Sequence, residues 1–242
     1  MFKRLLRVVI GIVIANGICQ AQQEAARTPY FAAGIKLSSL GIGGEVAVPI
    51  TEKMDIRAGF NGFSYDRNFD KDGVSYAGHL NFRSAEAHYD WFPFGVGFHV
   101  SPGMLLYNGN KITANAAVAG GQTFDLNDTT YTSDPNNPVH GNGKIDFKKV
   151  APTLTVGWGS LFPRSGRHWS IPFVIGAAYQ NAPRAILSLA GGACDSSGLF
   201  CQDITNDPTF QSNVKSEQDK LNKDMSSFKF YPLISIGFGY RF

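Results

Sequence analysis

The feature that most constrains this fold is the strict alternation of side chains over the C-terminal segment. From Phe228 to Phe242 every second residue is apolar, and Ser235, Gly237 and Gly239 lie between them. Successive side chains of a β-strand point to opposite faces, so one face of this strand is uniformly apolar. A strand of a soluble sandwich also alternates, but an unbroken apolar face opposite small and polar residues is typical of a strand with lipid on one side. We therefore expect Ile234, Ile236 and Phe238 to face lipid.

The same alternation recurs upstream in segments separated by turn-forming residues. Seven such segments are visible, whereas single-chain bacterial barrels have an even number of strands. In the first segment, residues 30–50, the apolar positions change from odd to even near residues 38–41, and a tight turn there would divide the segment into two strands. The alternative is a bulge and a different closure of the barrel. The sequence thus predicts an all-β, transmembrane, antiparallel up-and-down barrel of eight strands. The alternating segments are residues 30–50, 53–69, 74–92, 95–109, 144–160, 169–189 and 227–242.

Residues 74–92 contain a second change of phase. Before Ser84 the apolar residues occupy even positions, such as Tyr76 and Leu80, and after it they occupy odd positions, such as Tyr89 and Trp91. An extra residue in a strand reverses its facing, so we expect a β-bulge near Ser84.

Charged and polar residues on the opposite parity are predicted to point into the barrel. A narrow barrel is nearly filled by side chains, and charges without water must pair, so a salt-bridged plug is one interpretation. A small hydrophilic pathway or binding pocket is the other. The predicted lumen residues are Lys36, Glu45, Asp55, Arg57, His79, Asn81, Arg83, Glu86, His88, Asp90, His99 and Arg241.

The turns alternate between a short-turn end and a long-loop end, as in outer-membrane barrels. The long connections, residues 110–142 and 190–227, are predicted to be two long extracellular loops. The first contains a hairpin signal, Asn127-Asp128, and the second a helix signal, Asp207-Pro208. An aromatic girdle is expected at the short-turn end from Trp91, Phe92, Phe94, Trp158, Phe162 and Trp169.

Residues 1–21 are predicted to be a removed signal peptide, leaving residues 22–242 as the barrel domain. Basic residues precede an apolar run that is too short to span a membrane, and Cys19-Gln20-Ala21 supplies small residues before the cleavage point. A lipidated Cys19 is the alternative. The 22 basic residues fall to 19 after cleavage (22 − 3) and balance the 19 acidic ones, so the charge indicates no nucleic-acid partner.

Removal of the signal peptide leaves an even pair of cysteines, Cys194 and Cys201. An even pair in an exported chain predicts a disulfide, whereas two free thiols or half of a metal site are the alternatives.

Oxygen-bearing residues in the 110–142 loop lack the spacing of a calcium-binding EF-hand loop. Ser84, Ser101 and Ser235 are the serines considered as nucleophiles, but no motif marks them. We expect no cofactor and no metal site.

The terminal residues 237–242, Gly-Phe-Gly-Tyr-Arg-Phe, resemble the end of small Gram-negative outer-membrane barrels of the OmpA/OmpW-like kind. This resemblance implies that Phe238, Tyr240 and Phe242 form the signal read by the barrel-assembly machinery, and that outer-membrane lipid and lipopolysaccharide are partners. It implies a non-enzymatic structural role or a narrow conduit for small solutes. A barrel-embedded lipid-modifying enzyme and a surface adhesion or receptor module carried by the long loops are the alternatives.

Overall fold

The computed structural model describes residues 31–71, 74–95, 97–195, 198 and 200–242. The predicted signal peptide and its cleavage point lie outside these residues. Most of the described chain is β-structure. Its strands are β1 (Ala32–Ser38), β2 (Gly41–Thr51), β3 (Met54–Lys71), β4 (Val74–Trp91), β5 (Phe98–Asn108), β6 (Lys111–Val118), β7 (Thr123–Leu126), β8 (Thr129–Ser133), β9 (His140–Asp146), β10 (Ala151–Trp158), β11 (Trp169–Ser170), β12 (Phe173–Tyr179), β13 (Arg184–Ala190), β14 (Gly192–Cys194), β15 (Cys201–Asp203) and β16 (Phe230–Arg241).

Eight of these strands close an antiparallel barrel, as predicted. The order around the wall is β1-β2-β3-β4-β5-β10-β12-β16, and β16 pairs back to β1. The predicted tight turn divides the first segment, because Ser38 pairs directly with Gly41. Gly41 has a φ of 116°, which glycine tolerates better than other residues.

The strands β3 and β4 are too long to lie in the barrel wall alone. Each has 18 residues, whereas a transmembrane strand needs about 9–11. Beyond the barrel β4 exchanges its partner β5 for β6, and an outer sheet forms in the order β3-β4-β6-β9-β13. The predicted single strands 144–160 and 169–189 are therefore wrong, because in each the chain leaves the barrel for the outer sheet.

A second, small sheet and a helix pack beside the outer sheet. The small sheet has the order β15-β14-β8-β7, and the predicted Asn-Asp turn joins β7 to β8 with positive φ at both Asn127 and Asp128. The predicted disulfide joins Cys194 to Cys201 across the β14–β15 hairpin.

Helix α1 (Pro208–Asp224) is the helix predicted for the 190–227 loop. The Asp207 carboxylate accepts a hydrogen bond from the Phe210 backbone N–H at 2.6 Å, as an N-cap does. A 3₁₀ turn, Met225–Ser227, follows the helix. Phe210 and Val214 are buried, whereas Leu221 is exposed. No helix in the described residues is long and apolar enough to cross a membrane.

Side-chain amides of α1 occupy the outer edge of β13. The Gln218 Oε1 accepts from the Leu187 N–H at 3.0 Å, and the Asn222 amide accepts from the Ala185 N–H and donates to the Ala185 carbonyl. These hydrogen bonds occupy the backbone groups of β13 that a neighbouring strand would otherwise bond. They therefore protect the free edge of β13 from pairing with another chain.

The barrel wall is apolar on its outside and closed by apolar layers at both ends of its inside. Leu40 is buried with Leu105 and Leu233 at the long-loop end. At the short-turn end, Leu161 and Phe162 pack with Ala32 and Ala47. The exposed apolar side chains of the wall include Ile35, Leu37, Ile42, Val46, Ile56, Phe60, Leu154, Ile175, Ile234, Ile236 and Phe238.

The aromatic girdle is smaller than the sequence indicated. Trp91, Phe94, Trp158 and Trp169 are exposed at the short-turn end, as expected. Phe92 is fully buried. Like Phe162, it fills the mouth of the barrel instead of contacting lipid.

Candidate functional site

The barrel interior holds a buried set of charged side chains, here called the interior cluster. All of its members were predicted to face the lumen, and each is at most 6% exposed. They arise from five consecutive strands, β1 to β5, because every second residue of a barrel strand points inward. The interior cluster consists of Lys36, Glu45, Asp55, Arg57, Glu86, His88, Asp90 and His99.

Arg57 is the centre of this interior cluster. Its Nε and Nη2 bond the two carboxylate oxygens of Asp90 at 2.8 and 3.0 Å, and its Nη1 bonds Glu45 at 3.2 Å. Lys36 lies 3.5 Å from Glu45 and bonds Glu86 directly. The charges of four strands are thus joined in one network, which satisfies buried ions that would otherwise be costly.

A second group of contacts closes the short-turn end. Asp55 accepts hydrogen bonds from Arg164 at 2.6 Å and from Ser160 at 3.1 Å. The Arg164 guanidinium lies over the Phe92 ring, 4.3 Å from its centroid, and that ring packs on His99. The 159–168 turn is therefore anchored inside the barrel mouth by a buried ion pair and a cation–π contact.

The other side of the interior is lined by small side chains, and glycines make room for the imidazoles. A Cβ at Gly103 would collide with His88, and one at Gly157 would collide with His99. A cavity inside the barrel, beside Lys36, Glu86 and Ser235, has a volume of about 20 Å³. That space is close to the minimum needed for one water molecule.

Four predicted lumen residues lie outside the interior cluster, and three of them are on β4. His79, which contacts Asp66, and Arg83 are on the outer face of β4, and Asn81 shares that face. The expected bulge in β4 is absent: its ladder with β3 runs without a register shift from Trp91 to Val74. The shift lies in the pairing of β4 with β5, where Leu106 is the extra residue.

Arg241 points toward the short-turn end without joining the interior cluster. Its guanidinium donates to the carbonyls of Pro163 and Gly166 at 3.2 and 3.3 Å, and lies over the Phe162 ring. Arg241 thus ties the last barrel strand to the turn that fills the mouth.

The serines considered as nucleophiles are placed unfavourably for lipid chemistry. Ser84 and Ser101 are buried in the closed interior, and Ser84 accepts a hydrogen bond from Asn61 at 3.2 Å. Ser235 lines the 20 Å³ cavity. Among the described residues, no group of three His, Cys, Asp or Glu side chains is arranged to hold a metal ion.

A much larger cavity, about 910 Å³, lies on one face of the outer sheet; it is here called the trough. Sequence reasoning missed it, because the strands β6, β9 and β13 were read as loops or as parts of barrel strands. One row of side chains crosses all five strands of the sheet. In order, this row is Asn68, Ala77, Asn115, Asn142 and Ser188.

The next row of the trough has the same mixture of small and polar residues. It consists of Asp70, Ser75, Ala117, His140 and Ala190. Outside the trough lining, Lys220 of α1 donates to Asp128 at 2.9 Å, and this hydrogen bond raises the pKa of Lys220. The helix is thereby tied to the β7–β8 turn.

The closed wall, its apolar exterior and its ion-paired interior define a small transmembrane β-barrel with eight strands, the class that the OmpA/OmpW-like resemblance predicted. The fold is similar to the crystal structure of Acinetobacter baumannii CarO, with a TM-score of 0.55 and 20% identity over 87% of this chain and 97% of that chain. It is also similar to that of A. baumannii CarO2, with a TM-score of 0.56 and 17% identity over 90% and 100% of the two chains. No protein-family model and no curated protein sequence matches the chain.

Proposed function

We propose that this protein is a surface receptor or adhesion module of a Gram-negative outer membrane, in which a closed barrel anchors the folded outer sheet. The barrel acts as an anchor and does not conduct solutes. The observation that carries this proposal is the filled interior: a continuous ion-pair network lies between two apolar layers, and the cavity beside Lys36 and Glu86 measures only about 20 Å³.

The outer part supports the receptor half of the proposal. The sheet β3-β4-β6-β9-β13 rises from the barrel on the side of the long loops, which face the exterior in outer-membrane barrels. The disulfide and the α1 amides give this region fixed structure. Loops that only connect barrel strands do not need an ordered surface with its own cavity, so this region is built for a further role.

Planar-bilayer recording tests the anchor. The purified, folded protein should give no discrete conductance steps, whereas an open porin inserted under the same conditions provides the positive control. Heat-modifiable migration on gels confirms that the inserted barrel is folded. Reproducible conductance steps from the folded wild-type protein would overturn the closed-anchor proposal in favour of a narrow conduit.

A further inference from the structure

The trough presents hydrogen-bonding side chains over a floor of small residues. Small side chains form part of this floor, namely Ala77, Ala117 and Ala190, and asparagine, serine and histidine side chains project between them. Its volume of about 910 Å³ is at the upper end of the range for small-molecule sites. The trough is thus large enough for a ligand bigger than a single small metabolite.

Two asparagines at the centre of the trough have a defined orientation. The Asn142 Nδ2 donates to the Asn115 Oδ1 at 2.7 Å. This bond leaves the Asn115 NH₂ group as a donor and the Asn142 carbonyl oxygen as an acceptor. Neighbouring strands are about 4.8 Å apart, so the free donor of Asn115 and the free acceptor of Asn142 lie side by side. A hydroxyl group both donates and accepts hydrogen bonds. A ligand with two adjacent hydroxyls can therefore bond both asparagines.

The charge of the trough argues against an anionic ligand. Its described lining contains no lysine or arginine, and it does contain Asp70. Phosphate and carboxylate ligands are usually held by arginine, lysine or a helix N-terminus.

We propose that the trough binds a neutral oligosaccharide, whose hydroxyls bond the Asn115–Asn142 pair and whose C–H groups contact the alanines of the floor. This inference deepens the proposed receptor role and rests on it. The barrel interior has no part in it, so conductance and sugar binding report on the two proposals separately.

The test is calorimetric titration of the full-length protein in a detergent without a sugar headgroup, because alkyl glycosides would compete. The probes are maltotriose, cellotriose and chitotriose, with trigalacturonate and inorganic phosphate as anionic comparisons. We expect at least one neutral trisaccharide to bind, and Asn142→Leu to weaken it about tenfold, as the loss of one or two hydrogen bonds would. Ala117→Trp should abolish binding by filling the floor.

The matched control is Asn136→Leu, the same substitution at an exposed asparagine outside the trough. It should leave binding unchanged, and heat-modifiability shows that each variant folds. The inference is wrong if none of the neutral trisaccharides binds at millimolar concentration, if only the anionic probes bind, or if the three variants bind alike. Any of these results, with no conductance from the wild type, would leave the closed anchor standing.

Discussion

Replacing Arg57 with methionine tests whether the interior cluster stabilises the closed barrel. Arg57 is 6% exposed and makes three hydrogen bonds to two carboxylates. Methionine has no charge and fills a similar part of the space. The substitution leaves Asp90 without its cation, whereas Glu45 keeps Lys36 at 3.5 Å.

The expected cost follows from this difference between the two carboxylates. Removing one partner of a buried ion pair costs about 3–5 kcal/mol, because the other charge stays buried and unpaired. Adding Asp90→Asn to Arg57→Met removes that orphaned charge. The double variant should therefore be more stable than the sum of the two single effects predicts, by about 1 kcal/mol or more.

Equilibrium urea titration of folding into phosphatidylcholine vesicles, followed by tryptophan fluorescence, measures these free energies. Lys144→Met is the control, since it also removes a cation from an ion pair, but the Lys144–Asp146 pair is exposed and contributes only about 0–1 kcal/mol. If Arg57→Met costs no more than the Lys144→Met control, or if the two interior substitutions are simply additive, the network is not what stabilises the interior.

Three further predictions concern the wall, the outer part and the N-terminus. Ile236→Arg should destabilise the folded barrel by roughly 2–4 kcal/mol in the same titration, because Ile236 is 50% exposed on the lipid face, while Ile236→Leu should have little effect; a harmless arginine would contradict the facing. Ser235→Arg should also be costly, since Ser235 borders a cavity of only about 20 Å³. Reduction of the disulfide, whose cysteines are 7 residues apart, should remove about 2 kcal/mol from the outer part and increase proteolysis near residues 192–203 without changing barrel heat-modifiability; quantitative thiol labelling of the untreated protein would contradict the pairing. N-terminal sequencing of the membrane-extracted protein should begin at Gln22, and a diacylated Cys19 would refute this.

Near Ser84 the apolar positions of β4 change from even to odd, and here the local sequence pattern alone gives the wrong structure. Val74 and Tyr76 share the strand face of Glu86 and Asp90, because β4 has no bulge. Inside the barrel that face meets the ion-pair network, and beyond it the same face packs against the apolar cluster around Phe210 of α1. The apolar parity reverses because the surroundings change, and not because the strand does.

Alternation alone determined much of this protein: the β class, the lipid-facing residues of the C-terminal strand, the turn at residues 38–41 and the members of the interior cluster. These follow from a period of two, which is a local property of the chain. Only the tertiary structure decided that β4 changes partner from β5 to β6, that Arg164 enters the mouth to bind Asp55, and that β6, β9 and β13 form the floor of the trough. Such pairings join residues far apart in sequence, and a strand's own pattern says which way its side chains face but not which strand lies beside it.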